Sequence, residues 1–234
     1  MALTTVPGSG TTLSSSYYIR NFYISNRDAQ TASKRKAMDS AELSFADSLA
    51  LRRAVRELGG SSFTDDDSSN IRSRVLAYIE TYNNTLTSTS KSADHSLERS
   101  MKQMKSITNE YARELDKIGI TVSENGSLKS RPALFGTADI SKFEKIFSKD
   151  SDYMLRTAAC AKKIERQSEA LNLTARSQKS QKADSAAAIL SLGGNSATGT
   201  PTTQATAAAQ IVSAAMGTPP QSDNTAGNHI NVVL

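Results

Sequence analysis

The residues that could carry catalysis are few. Two histidines, His95 and His229, and one cysteine, Cys160, are the whole inventory of imidazole and thiol in 234 residues. A Cys-His or Ser-His-Asp arrangement needs its base within hydrogen-bond reach of the nucleophile, and spacing neither provides nor forbids that. His95 follows Asp94 at the start of a helical pattern, where an exposed residue is the simple reading. Cys160 sits in an Ala-rich run, which suits packing of a small apolar side chain. Thr64-Asp65-Asp66-Asp67 offers clustered carboxylates, which hard cations favour. An EF-hand loop would also need ligands at alternating positions, a Gly at the sixth and a Glu at the twelfth, and none is present. Acids directly before an apolar-periodic segment suit a helix N-terminus instead. No CxxC, HExxH, phosphate-binding loop or dinucleotide fingerprint occurs, and Gly8-Ser9-Gly10 has no strand before it. The expectation is a chain with no catalytic, metal-binding or cofactor-binding residue, no cofactor, no small-molecule substrate and no enzymatic activity.

Composition narrows the class. Hydrophobic residues make up 38% and aromatics 6%, with no Trp, which predicts a modest core. Net charge is +5 and the pI about 9.3. A basic chain is a candidate for nucleic acid or an anionic surface. However, cations alternate with acids, as in Glu110, Arg113, Glu114, Asp116 and Lys117, which is the pattern of a solvated helix face. The densest basic spots are Lys34-Arg35-Lys36 and Arg52-Arg53 with Arg56, a small footprint that argues against nucleic acid. A single cysteine permits no internal disulfide. The start has neither a basic n-region nor an apolar h-region, so a secretory signal peptide is not expected. No run approaches the ~18 apolar residues of a membrane span.

The elements that position these residues are mostly helices. Residues 1–16 are Ser-, Thr- and Gly-rich and predict disorder. Tyr17 to Ile24 is unusually apolar and reads as a short strand or a first helical turn, with a third strand beside a later hairpin as one outcome. Residues 28–58 predict a helix with Leu43, Ala46, Ala50, Ala54 and Leu58 on its apolar stripe, ended by Gly59-Gly60. A second helix is expected over 68–86, followed by a Ser/Thr-rich loop to 92. In the third, Leu97, Met101, Met104, Thr108, Tyr111, Leu115 and Ile118 alternate steps of four and three, a heptad seam. Six of these, Leu97, Met101, Met104, Tyr111, Leu115 and Ile118, are the candidate helix interface. Ile107 would instead serve a straight 3.6-period face packed on the second helix within the chain. A homo-oligomer through the seam is the other outcome.

Residues 116–130, DKIGITVSENGSLKS, break the helical pattern. Gly119 can close a helix in the left-handed conformation. Ile120, Thr121 and Val122 prefer an extended chain. Asn125-Gly126 is a strong tight-turn signal, and Leu128 would pair back toward Val122. A lone hairpin is marginal in water, so it must pack on helices. Pro132 and Gly136 punctuate a loop, Asp139 caps a short helix with Phe143, Ile146 and Phe147, and a last helix runs from 152 into the 170s. The fold class is therefore mainly α: a helical hairpin or bundle with one small β-hairpin near 119–129 and disordered N- and C-terminal segments. The domain scheme is 1–16 disordered, 17–175 helical, and 176–234 a low-complexity Ala/Thr/Ser-rich tail whose closing NHINVVL could dock as a strand.

The ordered set in residues 71–147 resembles the C-terminal helical core of the flagellar filament-capping family, the flagellar hook-associated protein 2 family. The residues that carry the resemblance are Tyr82-Asn83, Leu115 with Ile118-Gly119-Ile120-Thr121-Val122, Asn125-Gly126-Ser127-Leu128, and Phe143 with Ile146-Phe147. The family's turn is close to Asp-Gly-Thr-Leu; here it is Asn-Gly-Ser-Leu. Neither a Ser-Gly-Leu-Asp type opening nor large β-rich outer domains occur in these 234 residues. The resemblance implies a non-enzymatic structural or assembly protein, exported to the bacterial flagellum and contacting filament or hook components through helices. Tyr82, Asn83, Gly119, Ile120, Asn125, Gly126, Leu128 and Phe147 are its structural markers. The alternative is a cytoplasmic helical adaptor or chaperone-like module, and a basic nucleic-acid binder is the third reading.

Overall fold

Among residues 12–193, which the computed structural model describes, the protein is mainly helical, with one small antiparallel hairpin. The expectations for residues 1–11, for 194–234, for NHINVVL and for His229 lie outside the described residues. The first compact unit is Met1–Lys182. The second is Ala183–Leu234, of which the end of the last helix is described.

The apolar opening is a helix, not a strand. In α1 (Ser15–Phe22), Tyr18, Ile19 and Phe22 fall at three- and four-residue steps and are buried, with α1 lying against the helices Ser40–Gly59 and Ser68–Ser90. The sheet therefore keeps two strands. The single helix expected over 28–58 is divided. A 3-10 turn (Arg27–Gln30) and α2 (Ala32–Ala37) precede α3 (Ser40–Gly59). The break falls where Met38 and Asp39 are extended and the Asp39 carboxylate accepts from the Glu42 N–H (2.8 Å), which starts α3 afresh. Gly59 is the last residue of α3 rather than the first beyond it. A Cβ there would stand 3.1 Å from the Lys149 Cα, so close packing explains this glycine.

Helix α4 (Ser68–Ser90) packs along α3 and runs past the expected end at 86. The Ser/Thr cluster does not unwind it. Thr85, Thr87 and Ser88 each donate a hydroxyl to the carbonyl four residues back, on Thr81, Asn83 and Asn84. Those bonds satisfy the hydroxyls inside helical geometry. The Asp65–Asp67 run is a 3-10 turn in front of α4, and its carboxylates do not cap by side-chain bonds to the backbone. Asp67 instead pairs with Arg74 (2.9 Å) and accepts from the Asn70 amide (2.8 Å).

The third helix is two helices, α5 (His95–Glu110) and α6 (Ala112–Lys117), broken at Tyr111. Asp94 caps α5, accepting from the Ser96 and Leu97 N–H groups, and the Ser96 hydroxyl bond together with these holds its carboxyl below the usual carboxylate range. The hairpin of β1 (Ile120–Val122) and β2 (Leu128–Ser130) has the expected register, Val122 opposite Leu128. Its loop is longer than a two-residue turn. Gly126 N–H bonds the Ser123 carbonyl and Ser123 N–H bonds the Ser127 carbonyl (both 2.8 Å), with Gly126 at φ 83°. That is a three-residue hairpin loop closed by a left-handed glycine.

The segment expected as a loop holds α7 (Pro132–Thr137), with Pro at its first position, where no N–H is missed. Arg72 of α4 donates to the carbonyls of Phe135 (3.2 Å) and Ala138 (2.9 Å), satisfying groups left free as α7 ends. Asp139 caps α8 (Ile140–Phe147) as expected, accepting from Ser141 N–H (3.0 Å). The last helix, α9 (Asp152–Gly193), continues through residues expected to belong to the tail. From 176 to 192 the sequence has no Gly or Pro to stop it.

Candidate interaction surfaces

The six residues of the heptad seam pack inside the chain. Leu97, Met101, Met104, Leu115 and Ile118 are buried in the core and Tyr111 is half-buried. Ile107 and Thr108 are both buried, so the inner face has the 3.6-residue period of a bundle helix. These side chains pack within the chain, the internal one of the two outcomes expected for the seam, and α5 lies against α4. The helix is interrupted at Tyr111, whose hydroxyl donates to Asp152 at 2.8 Å.

Of the marker residues of 71–147, Asn83 and Leu128 bond each other directly, and the rest hold separate parts of the fold. Tyr82 donates to the Thr108 hydroxyl (2.8 Å), tying α4 to α5. The next residue, Asn83, is the hairpin's anchor. Its amide nitrogen donates to the Leu128 carbonyl and its amide oxygen accepts from the Leu128 N–H, both at 2.8 Å. A side chain on a helix thus bonds the outer edge of β2 as a neighbouring strand would. This is how two three-residue strands persist in water. Ile120 and Leu128 point into the core, and Phe147 packs edge-on to Tyr78 (5.5 Å) and Tyr153 (6.2 Å). Asn125 sits at the exposed tip, where its side chain accepts from Ser127 N–H. Asn83→Ala should lower stability by about 1–3 kcal/mol, because it leaves both polar groups of buried Leu128 unpaired. Amide exchange of Leu128 measured against urea unfolding checks this. Unchanged protection would show that the anchor does not hold the hairpin.

The other polar groups of the interior serve the fold. Tyr78 donates to the Tyr153 hydroxyl (2.8 Å), and burial pushes the Tyr153 phenol up to about 12 and the Tyr78 phenol well above its ordinary value. Asp47, fully buried on α3, holds Arg35 through two bonds of 2.8 Å and accepts from the Tyr23 hydroxyl at 2.7 Å. Much of the expected basic footprint is therefore structural. Lys34 pairs with Asp28, Arg52 with Glu165, and Arg53 donates to the Phe22 carbonyl and the Ser25 hydroxyl. His95 is exposed and 3.6 Å from Glu98, whereas Cys160 is buried, which pushes its thiol up. The structure does not bring these two together with a nucleophile or base.

Two surfaces remain open to solvent among the described residues. The first is a groove of about 600 Å³ between α3 and the start of α9. Its walls carry Arg56 and Lys149, and its floor Val55, Met154, Leu155 and Ala158. The second is α9 itself. Tyr153, Met154, Cys160, Ala161, Ile164 and Ser168 are buried, but from Leu173 to Ala183 every residue is exposed.

No family model, curated protein or solved structure matches the chain.

Sequence reasoning missed both surfaces. Leu155 was the available signal for the groove. It is a large apolar residue one position off the line of Met154, Ala161 and Ile164, so the helix must turn it away from the core. For α9 the signal was the loss of apolar periodicity after Leu171 while the helix-forming composition continued.

Proposed function

We propose that the protein is a non-enzymatic assembly or interaction protein that works through helix–helix contacts. One observation carries this reading: α9 packs in the core as far as Ser168 and then continues from Leu173 to Ala183 with every residue exposed. An isolated helical segment of that length is marginal, and an exposed one gains most by packing a face on a partner. Arg176, Lys179 and Lys182 follow one another at three-residue steps there with no acid between them, which favours a partner of opposite charge.

The finer proposal is a component related to the flagellar cap, exported and contacting filament or hook subunits. The bonds from Asn83 to Leu128 support it, because they join two of the marker residues, one on the helix and one on the hairpin. A cytoplasmic adaptor is the second reading, favoured by the open basic groove on α3 and α9.

One experiment separates them. A photo-reactive amino acid replaces Leu173 in the source organism, and adducts are collected from cells and culture fluid with and without the flagellar export machinery. Adducts to filament or hook proteins, with release lost when export is deleted, are expected for the cap-related role. Retention in the cytoplasm of both strains overturns that role, and absence of any protein adduct overturns the helix-contact reading.

A further inference from the structure

The groove between α3 and α9 has the chemistry of a helix-binding site. The two helices run antiparallel, with Gly59 against Lys149 at one end and Arg52 bonded to Glu165 (2.5 Å) at the other. The residues lining the groove include four cations and no acid. Arg52 and Arg53 are held by bonds to Glu165, Phe22 and Ser25. Arg56 and Lys149 are exposed, and their side chains make no hydrogen bond among the described residues, although Glu57 lies near Arg56. Between them Leu155 is 56% exposed, one of few large apolar side chains so placed, beside Val55, Met154 and Ala158. An apolar strip flanked by free cations complements a helix with an apolar stripe and acidic flanks.

We propose that this groove docks an acidic amphipathic helix of a partner protein. Its apolar face sits on Leu49, Leu155 and Ala158, and its carboxylates pair with Arg56 and Lys149. The partner helix completes a three-helix layer with α3 and α9. Charge then governs encounter and register, while Leu155 supplies the apolar contact. The proposal deepens the helix-contact reading above and rests on it. It fails on peptide specificity alone, whereas that reading fails on the adducts at position 173.

The test uses the full chain and a labelled three-heptad peptide with Leu at helical spacing and Glu on both flanks, followed by fluorescence anisotropy. Saturable binding is expected, weakening several-fold as salt is raised. The double variant Arg56→Glu with Lys149→Glu should weaken it by at least about tenfold, equivalent to about 1.4 kcal/mol. Leu155→Asp should do the same, and Arg113→Glu, an exposed cation on α6, should leave binding unchanged. Circular dichroism and Tm confirm that each variant is folded. Equal binding of a peptide with scrambled Leu positions, or no effect of the charge reversal, overturns the proposal. So does tighter binding of a single-stranded oligonucleotide, which would make the groove a nucleic-acid site. Self-association lost in the charge-reversed variant would assign the groove to a second copy. A carbodiimide cross-link from Lys149 to a carboxylate of the same chain would assign it to the chain's own residues. Either result also overturns the proposal.

Discussion

Gly119→Ala should remove a large part of the protein's stability, about 2–5 kcal/mol. Two effects add. Gly119 has φ 78°, a left-handed conformation that costs an L-residue roughly 1–2 kcal/mol. A Cβ there would also stand 2.4 Å from the Phe135 backbone nitrogen and 2.9 Å from the Phe135 Cα. Backbone cannot swing aside as a flexible side chain can, so α7 must shift as a unit, and forced overpacking costs typically 1–3 kcal/mol. The shift would disturb the edge-on contact of Phe135 with Phe143 (5.3 Å) and the bond from Arg131 N–H to the Gly119 carbonyl (2.7 Å). Against a usual total of about 5–15 kcal/mol, that loss is severe. Urea unfolding followed by circular dichroism measures it. Gly136→Ala is the control: a Cβ there meets nothing within 4 Å, and inside α7 alanine should be neutral or stabilise by up to about 1 kcal/mol. Equal effects of the two substitutions would remove the case for Gly119.

Asp47→Ala should destabilise by about 3–5 kcal/mol, the usual result of breaking a buried pair from one side. The carboxylate is fully buried and carries three bonds, two from Arg35 and one from Tyr23. Its loss leaves a guanidinium and a phenol without the carboxylate they share. Arg35 also donates to the Ala29 carbonyl, so the turn at Arg27–Gln30 should loosen with it. Tyr23→Phe removes the bond to Asp47 and the one the hydroxyl accepts from the Asn84 amide (3.2 Å), and should cost about 1–2 kcal/mol. Replacing Arg35 by Met and Asp47 by Leu together should recover much of the loss, since an apolar pair of similar volume removes both desolvation penalties. A double-mutant cycle in urea checks the set. If the double substitution is as damaging as Asp47→Ala alone, the interaction is not a coupled pair and the effect belongs to packing.

The parts of this fold legible in sequence are those set by local chemistry. The 3.6-residue stripes of α3, α4 and α9, the Asp139 cap and the Val122–Leu128 register depend on neighbours a few residues apart. The parts that were not legible depend on distant partners. The chain at 85–90 stays helical because its hydroxyls bond back to carbonyls in a buried setting. The helix divides at Tyr111 because its ring packs on Tyr153 (5.3 Å), 42 positions later. One clue was available and carried no weight: Leu43, Asp47, Ala50 and Ala54 lie on one stripe, so an acid stood on the core face of α3 and needed a cation from elsewhere. The two surfaces became visible only once it was known which side chains the core consumes. The seam of α5 was a strong pattern for that reason and proved internal.

The Asn83 anchor reads only backbone: both of its bonds end on the main chain of Leu128, not on its side chain. The two ends of the contact therefore differ in how much substitution they tolerate. At position 128 any side chain that fills the same apolar space keeps the bonds. At position 83 aspartate lacks the donor, and leucine, although close in size, lacks both groups. Glutamine has both but is one methylene too long. A hairpin whose own residues can drift is thus fixed by a single position on a helix 45 residues earlier, so a screen of random variants should find 83 nearly invariant beside a permissive strand.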